Sequence, residues 1–225
     1  MCASSTRAVC GDMMATAFST PLLACGVIDR DGPIRWGVMG AGLISRDYVG
    51  ALKALSPEEG VVVAVGARDL EGAAAFAREL SIERVHEGYK ALAADPEVDV
   101  IYVGTVAQAH VQCCRIALAA GKHVVVEKPL ALCASDAEAL TREAHERGLF
   151  LLEGMWTRCF PAVRKARELL AAGAIGEVVA FSADFGARLG LAAPPQLYFG
   201  YAHYGYTYHG YAGQPTRRCT PARST

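Results

Sequence analysis

Apolar and polar positions follow a repeating grammar between residues 34 and 155. Short apolar runs occur at Ile34 to Met39, Val61 to Val65, Val98 to Gly104, His123 to Glu127 and Leu149 to Glu153. Runs of this length, rich in β-branched residues, read as strands covered on both faces. A shorter strand is expected at Arg84 to Glu87. Between the runs lie longer stretches with a helical period: Leu43 to Leu55, Leu70 to Leu80, Tyr89 to Ala94, Gln108 to Ala120 and Ser135 to Arg147. Their ends are punctuated. Pro57 and Gly60 close the first, Asp69 can cap the second, Asp95-Pro96-Glu97 makes a turn, and Gly121 and Gly148 stop the last two. Strands alternating with helices predict an α/β fold with a parallel, doubly wound sheet of the Rossmann type over residues 34–155.

After Trp156 the grammar changes. Phe160 to Ala172 is one more helix, with Val163, Ala166, Leu169 and Leu170 on a single face. Glu177 to Phe185 then alternates loosely like a strand. Residues 156–189 read as the start of a second, α+β domain. Residues 190–225 hold six of the nine tyrosines, interleaved with Gly and Pro and without a sustained period, and read as a low-complexity, irregular tail. The 177–185 strand is therefore expected to be an unpaired edge, a pairing or aggregation liability. Residues 1–33 are rich in Ala, Ser, Thr and Cys and read as a disordered extension. Organelle targeting is the second reading of that segment.

Charge narrows the partners. Lys and Arg number 22 against 23 Asp and Glu, a net charge of −1, so no basic field points to nucleic acid. Arg217-Arg218 among the tyrosines is too little charge to change that. No apolar run approaches the roughly 20 residues that span a bilayer, so no membrane partner is expected. The eight cysteines contain no C-x-x-C pair, and Cys113 and Cys114 are adjacent. They read as reduced, mostly buried thiols of a cytoplasmic protein, not as a metal site.

The candidate chemistry lies at strand ends, because ligands of doubly wound sheets sit beyond the carboxyl ends of the strands. The first end is Gly40-Ala41-Gly42-Leu43-Ile44. A strand, a glycine turn and a helix start make an anion site, since the first N–H groups of a helix are unsatisfied and its dipole favours negative charge. Gly40 would make the turn and Gly42 would let a pyrophosphate approach. Ser45 stands where a third fingerprint glycine would be. The second end is Ala67-Arg68-Asp69. A carboxylate selecting NAD is absent at Ala67, and the Arg68 guanidinium matches a 2′-phosphate, which favours NADP. The alternative is a solvated surface arginine. The third end is Tyr102-Val103-Gly104-Thr105 with His110 behind it. Tyr102 and Thr105 are expected to line the crevice near a nicotinamide, whereas His110 alone reads as an ordinary helix residue. The fourth is Glu127-Lys128-Pro129. A lysine here needs a partner for its charge. It can bind a nicotinamide ribose, lower the pKa of a neighbouring acid or stabilise a developing alkoxide.

Taken together, Glu127-Lys128-Pro129, the Gly40-to-Ile44 turn and the Tyr102-to-His110 segment resemble the glucose–fructose oxidoreductase / inositol dehydrogenase / rhizopine-catabolism family. Arg35-Trp36-Gly37, Ala67-Arg68-Asp69-Leu70, Gly148 to Glu153 and Trp156-Thr157-Arg158 are similar to its branch acting on dihydrodiols and D-xylose. The resemblance spans about Ile34 to Leu189. It implies an NADP-dependent oxidoreductase that oxidises a CH–OH group of a pentose or a trans-dihydrodiol by hydride transfer. It implies Lys128 as the lysine of the catalytic pair and places Tyr102 and His110 at positions linked to coenzyme binding. It also implies a homodimer formed through the second domain's sheet. The chain departs from the pattern at Ala107, where relatives often carry asparagine. The relatives' acid–base tyrosine lies in a Leu-Asp-x-Gly-x-Tyr context. Ungapped counting from Phe185-Gly186 reaches Tyr211, with Thr207 in the aspartate's place, and Tyr211 is assigned no role. A non-catalytic NADP-binding or partner-binding protein is the alternative function.

Overall fold

The computed structural model describes residue 28, residues 31–183 and residues 208–211. The extension over 1–33 lies almost wholly outside the described residues, as does most of the 190–225 tail. The chain divides into two units, residues 1–156 and 157–225, and each is taken by itself.

The first unit is built of β1 (Ile34–Met39), α1 (Leu43–Lys53), β2 (Gly60–Ala67), α2 (Leu70–Glu79), β3 (Arg84–Glu87), α3 (Tyr89–Ala93), β4 (Val100–Val103), α4 (His110–Ala119), β5 (His123–Glu127), α5 (Ala134–Glu146) and β6 (Leu151–Gly154). The strands form one sheet in the order β3-β2-β1-β4-β5-β6. Every pairing in it is parallel. Chain order runs outward from β1 in both directions, so the order reverses between β1 and β4. That reversal opens a crevice at the strands' carboxyl ends.

Alternation along each strand fills both faces. Val38, Val65, Val100, Tyr102 and Val125 pack with Val49 of α1 and Phe76 and Ala77 of α2. Met39, Ala64, Ile101, Val103, Val124 and Val126 pack on the other face with Leu92, Cys113, Cys114, Ala117, Leu118, Leu140 and Ala144 from α3, α4 and α5. Phe76 is fully buried, and a side chain of that size contributes about 1.5–3 kcal/mol by leaving water. Asp69 caps α2 as expected, its Oδ1 accepting the Glu71 N–H at 3.1 Å. Cys113 and Cys114 are buried thiols, while Cys133 and Cys159 are exposed.

The second unit contains α6 (Pro161–Ala171) and a two-stranded antiparallel ribbon of β7 (Ala180–Ala183) and β8 (Tyr208–Tyr211). Proline opens α6 at its first turn, where the missing N–H costs nothing. The ribbon corrects the expectation of an unpaired edge. Ala180 registers with Tyr211 and Ala183 with Tyr208, so part of the supposedly irregular tail is a strand. Its four residues are too short for a period to show, but tyrosine favours the pleated state. No helix among the described residues is long and apolar enough to cross a membrane.

Candidate functional site

The crevice begins at the end of β1. Gly40 has φ of +97°, the left-handed side that glycine tolerates. A Cβ there would also stand 3.0 Å from the Gly104 carbonyl oxygen, at the end of β4. The ends of β2, β1 and β4 are tied by backbone bonds. Gly40 N–H donates to Gly66 O at 2.9 Å, and Gly104 N–H donates to Met39 O at 2.9 Å. Gly104 in turn makes room for Ser45, since a Cβ on it would lie 2.3 Å from Ser45 Oγ. Ser45 thus occupies the third glycine's place without loss of close packing, because the glycine needed for that packing sits on β4 instead. Its Oγ is buried with no hydrogen-bond partner among the described residues.

The α1 N-terminus is open. Gly42 is its N-cap, no side chain caps it and no acid lies in its first turn. A Cβ on Gly42 would meet nothing within 4 Å. Leu43 and Ile44 are 70% and 43% exposed. The first amides of α1 therefore face open space with no competing carboxylate in the first turn, which fits a pyrophosphate.

From this turn an open cleft of about 540 Å³ runs past Ala67, Arg68 and Asp69 to Gly72 and Ala73 of α2 and Tyr89 of α3. Arg68 is exposed on its wall. Among the described residues no carboxylate forms an ion pair with it. A guanidinium in that position fits the charge of a 2′-phosphate.

On the other side of the switch point the groups are more deeply engaged than their sequence positions implied. Tyr102 is fully buried and does not line the crevice. Its hydroxyl donates to Glu127 Oε1 at 2.9 Å. Its ring stacks on Tyr48 of α1 with centroids 3.6 Å apart, and Tyr48 meets Trp36 edge-on. Burial, then the Glu127 charge, push the Tyr102 phenol far up, so it acts as a donor. Tyr102 therefore reaches the crevice only through Glu127, whose Oε2 also accepts the Lys128 N–H at 3.3 Å. Strand alternation could have foretold this. Tyr102 shares the parity of Val100, which faces α1 and α2.

His110 is also buried, at 1% exposure. Its Nδ1 lies 2.7 Å from Pro129 O and its Nε2 3.1 Å from Thr105 O. The ring thus ties the end of β4 to the loop after β5. Thr105 is half-buried, its Oγ1 3.8 Å from Cys113 Sγ. Lys128 is half-buried beside a cis Lys128–Pro129 bond. Glu153 on β6 supports the same loop by accepting the Leu130 N–H at 2.9 Å. Neither Glu153 nor Tyr89 was singled out as a site residue in the sequence: Glu153 ends the last apolar run with no glycine turn behind it, and Tyr89 simply opens a helix.

A parallel sheet with this strand order, a glycine turn and an uncapped helix start at its switch point define a dinucleotide-binding Rossmann domain. The chain belongs to the GFO/IDH/MocA oxidoreductase family with the NAD-binding Rossmann fold, whose profile matches residues 34–155. It is 47% identical over 152 residues to trans-1,2-dihydrobenzene-1,2-diol dehydrogenase of Oryctolagus cuniculus, covering 68% of this chain and 46% of that protein. Among solved structures it resembles a 3-ketoreductase from Actinomadura kijaniata in complex with NADP and TDP-benzene, at 38% identity and a TM-score of 0.59, covering 64% of this chain and 44% of that one. It also resembles a levoglucosan dehydrogenase in complex with NADH and levoglucosan, at 25% identity and a TM-score of 0.61, covering 65% and 41%. The chain spans about half the length of the curated relatives it matches.

Proposed function

We propose that this chain serves an NADP-dependent dehydrogenase acting on CH–OH groups of a pentose such as D-xylose or of a trans-dihydrodiol. The observation that carries the reading is the exposed Arg68, without a carboxylate partner among the described residues, on the cleft that leads from the open α1 start. The amides of Leu43 and Ile44 and the Gly40–Gly42 turn receive the pyrophosphate, and Arg68 receives the 2′-phosphate. When bound, the nicotinamide supplies hydride acceptance. The oxidised hydroxyl must lose its proton as the hydride leaves. Lys128 is the residue that stabilises the developing alkoxide or lowers the pKa of the acid beside it. Glu127, held by Tyr102, orients the nicotinamide ribose next to Lys128. Thr105 and His110 keep the β4 and β5 ends at a fixed separation.

The test mixes the purified chain with NADP+ and D-xylose or a trans-dihydrodiol and follows reduced-nicotinamide absorbance. Turnover with either substrate is the expected result. Binding of NADP+ with no turnover would replace this reading with a non-catalytic cofactor-binding one, and absence of binding would end both.

A further inference from the structure

We propose that Tyr89 is a second selector for the 2′-phosphate, working beside Arg68. The inference rests on the NADP reading above. The geometry begins with α3, which is strapped to the end of β2. Gly88 N–H donates to Ala67 O at 2.7 Å. A Cβ on Gly66 would lie 2.8 Å from Leu92 Cβ and 3.1 Å from Gly88 O, so α3 lies directly on that strand end. Its first residue, Tyr89, is thereby set into the wall of the cleft that Arg68 lines.

The chemistry of the pair is complementary. Burial pushes the Tyr89 phenol up, and the neighbouring Arg68 guanidinium pulls it partly back without ionising it at neutral pH. Arginine carries donors and no acceptor, and the phenol still carries its own proton. Both side chains therefore offer donors to the same space. Donors from two residues lining one cleft suit an oxygen-rich dianion better than a ribose hydroxyl, because hydrogen bonds to a charged acceptor are about twice as strong. Asp69 also lines this cleft, and its Oδ1 is engaged by the Glu71 N–H at 3.1 Å. Its negative charge opposes a phosphate, which raises the need for a second donor beside Arg68.

Two small ligands separate the contributions. The full chain is titrated calorimetrically with 2′,5′-ADP and with 5′-AMP, the adenosine half with and without the 2′-phosphate. The wild-type chain is expected to prefer 2′,5′-ADP. Tyr89→Phe is expected to weaken 2′,5′-ADP about tenfold and to leave 5′-AMP unchanged, the loss of one charge-assisted hydrogen bond. An unchanged ratio in Tyr89→Phe, with the preference lost in Arg68→Ala, overturns the Tyr89 assignment and leaves the NADP reading standing. Equal weakening of both ligands overturns it too, by showing a merely structural role. No preference in the wild-type chain overturns the NADP reading itself.

Discussion

The two ends of the parallel sheet are built from the same strands but treat charge in opposite ways. At the amino end, charged groups close on one another. Arg35 on β1 donates from Nε and Nη2 to the two oxygens of Asp99, at 3.1 and 2.7 Å, and from Nη1 to Glu97. Asp99 also accepts the Arg35 N–H at 2.9 Å. Lys122, ahead of β5, donates to the carbonyls of Asp95 and Val98 at 2.8 and 2.7 Å. His123 Nδ1 accepts the Phe150 N–H at 2.9 Å. At the carboxyl end, the α1 amides have no capping side chain and Arg68 has no carboxylate partner among the described residues. The amino end is braced by side-chain pairing, whereas at the carboxyl end the α1 amides and Arg68 lack a carboxylate partner among the described residues. Under the function proposed above, the contrast separates residues that hold the fold from residues that would bind the cofactor.

The largest effect is expected at the braced end. Arg35→Ala removes the main partner of Asp99, whose side chain is 15% exposed. The stability loss is about 2–4 kcal/mol, below the cost for a fully dry pair because some solvent remains. Chemical denaturation should show that loss, while nucleotide affinity measured on the folded protein stays near wild type. A large drop in affinity at unchanged stability would erase the distinction between the ends.

At the open end, Gly104→Ala places a Cβ 2.3 Å from Ser45 Oγ and 2.7 Å from Tyr102 Cε1. Overpacking of this kind costs about 1–3 kcal/mol. Here stability and affinity should fall together, since the same contact positions β4 against the α1 start. A thermal melt paired with NADP+ titration reads both.

The smallest effect is a pH slope. Burial holds the His123 imidazole below its ordinary value, and Asp99 opposes this only in part. The folded state thus binds fewer protons than the unfolded chain at that site. Its contribution is complete above the unfolded value of about 6.5 and is lost as pH falls through the lowered folded value. Protonation would also remove the acceptor that Phe150 N–H uses. His123→Asn keeps an acceptor oxygen without titrating, so its stability should be flatter across mildly acidic pH than the wild type's.

The braced and open ends were not equally legible in the sequence. The strands were, because β-branched runs such as Val124-Val125-Val126 admit little else, and Arg84–Glu87 and His123–Glu127 fall where the pattern placed them. Helix ends moved by one or two residues. The α1 helix stops at Lys53, short of Leu55, and a 3₁₀ turn at Ala107–Ala109 precedes α4. The glycine turn was legible because its motif is local. The Arg35–Asp99 pair, the Tyr102–Glu127 bond and the fit of Ser45 against Gly104 were not, because each joins residues at least 25 positions apart. Tyr102 was read as a crevice residue for its place near a strand end, when its parity on β4 buries it. Gly104 was noticed only as part of a strand end, since nothing local marks a glycine that exists to admit a distant serine.

The central claim is that the open end is selective for a phosphorylated dinucleotide through Arg68. Calorimetric titration of the full chain with NADP+ and NAD+, repeated on Arg68→Ala, measures it most directly. The account predicts that the wild-type chain binds NADP+ at least about tenfold more tightly than NAD+, and that Arg68→Ala loses this preference while still binding NAD+. Equal affinities in the wild-type chain, or a preference that survives in Arg68→Ala, would contradict it.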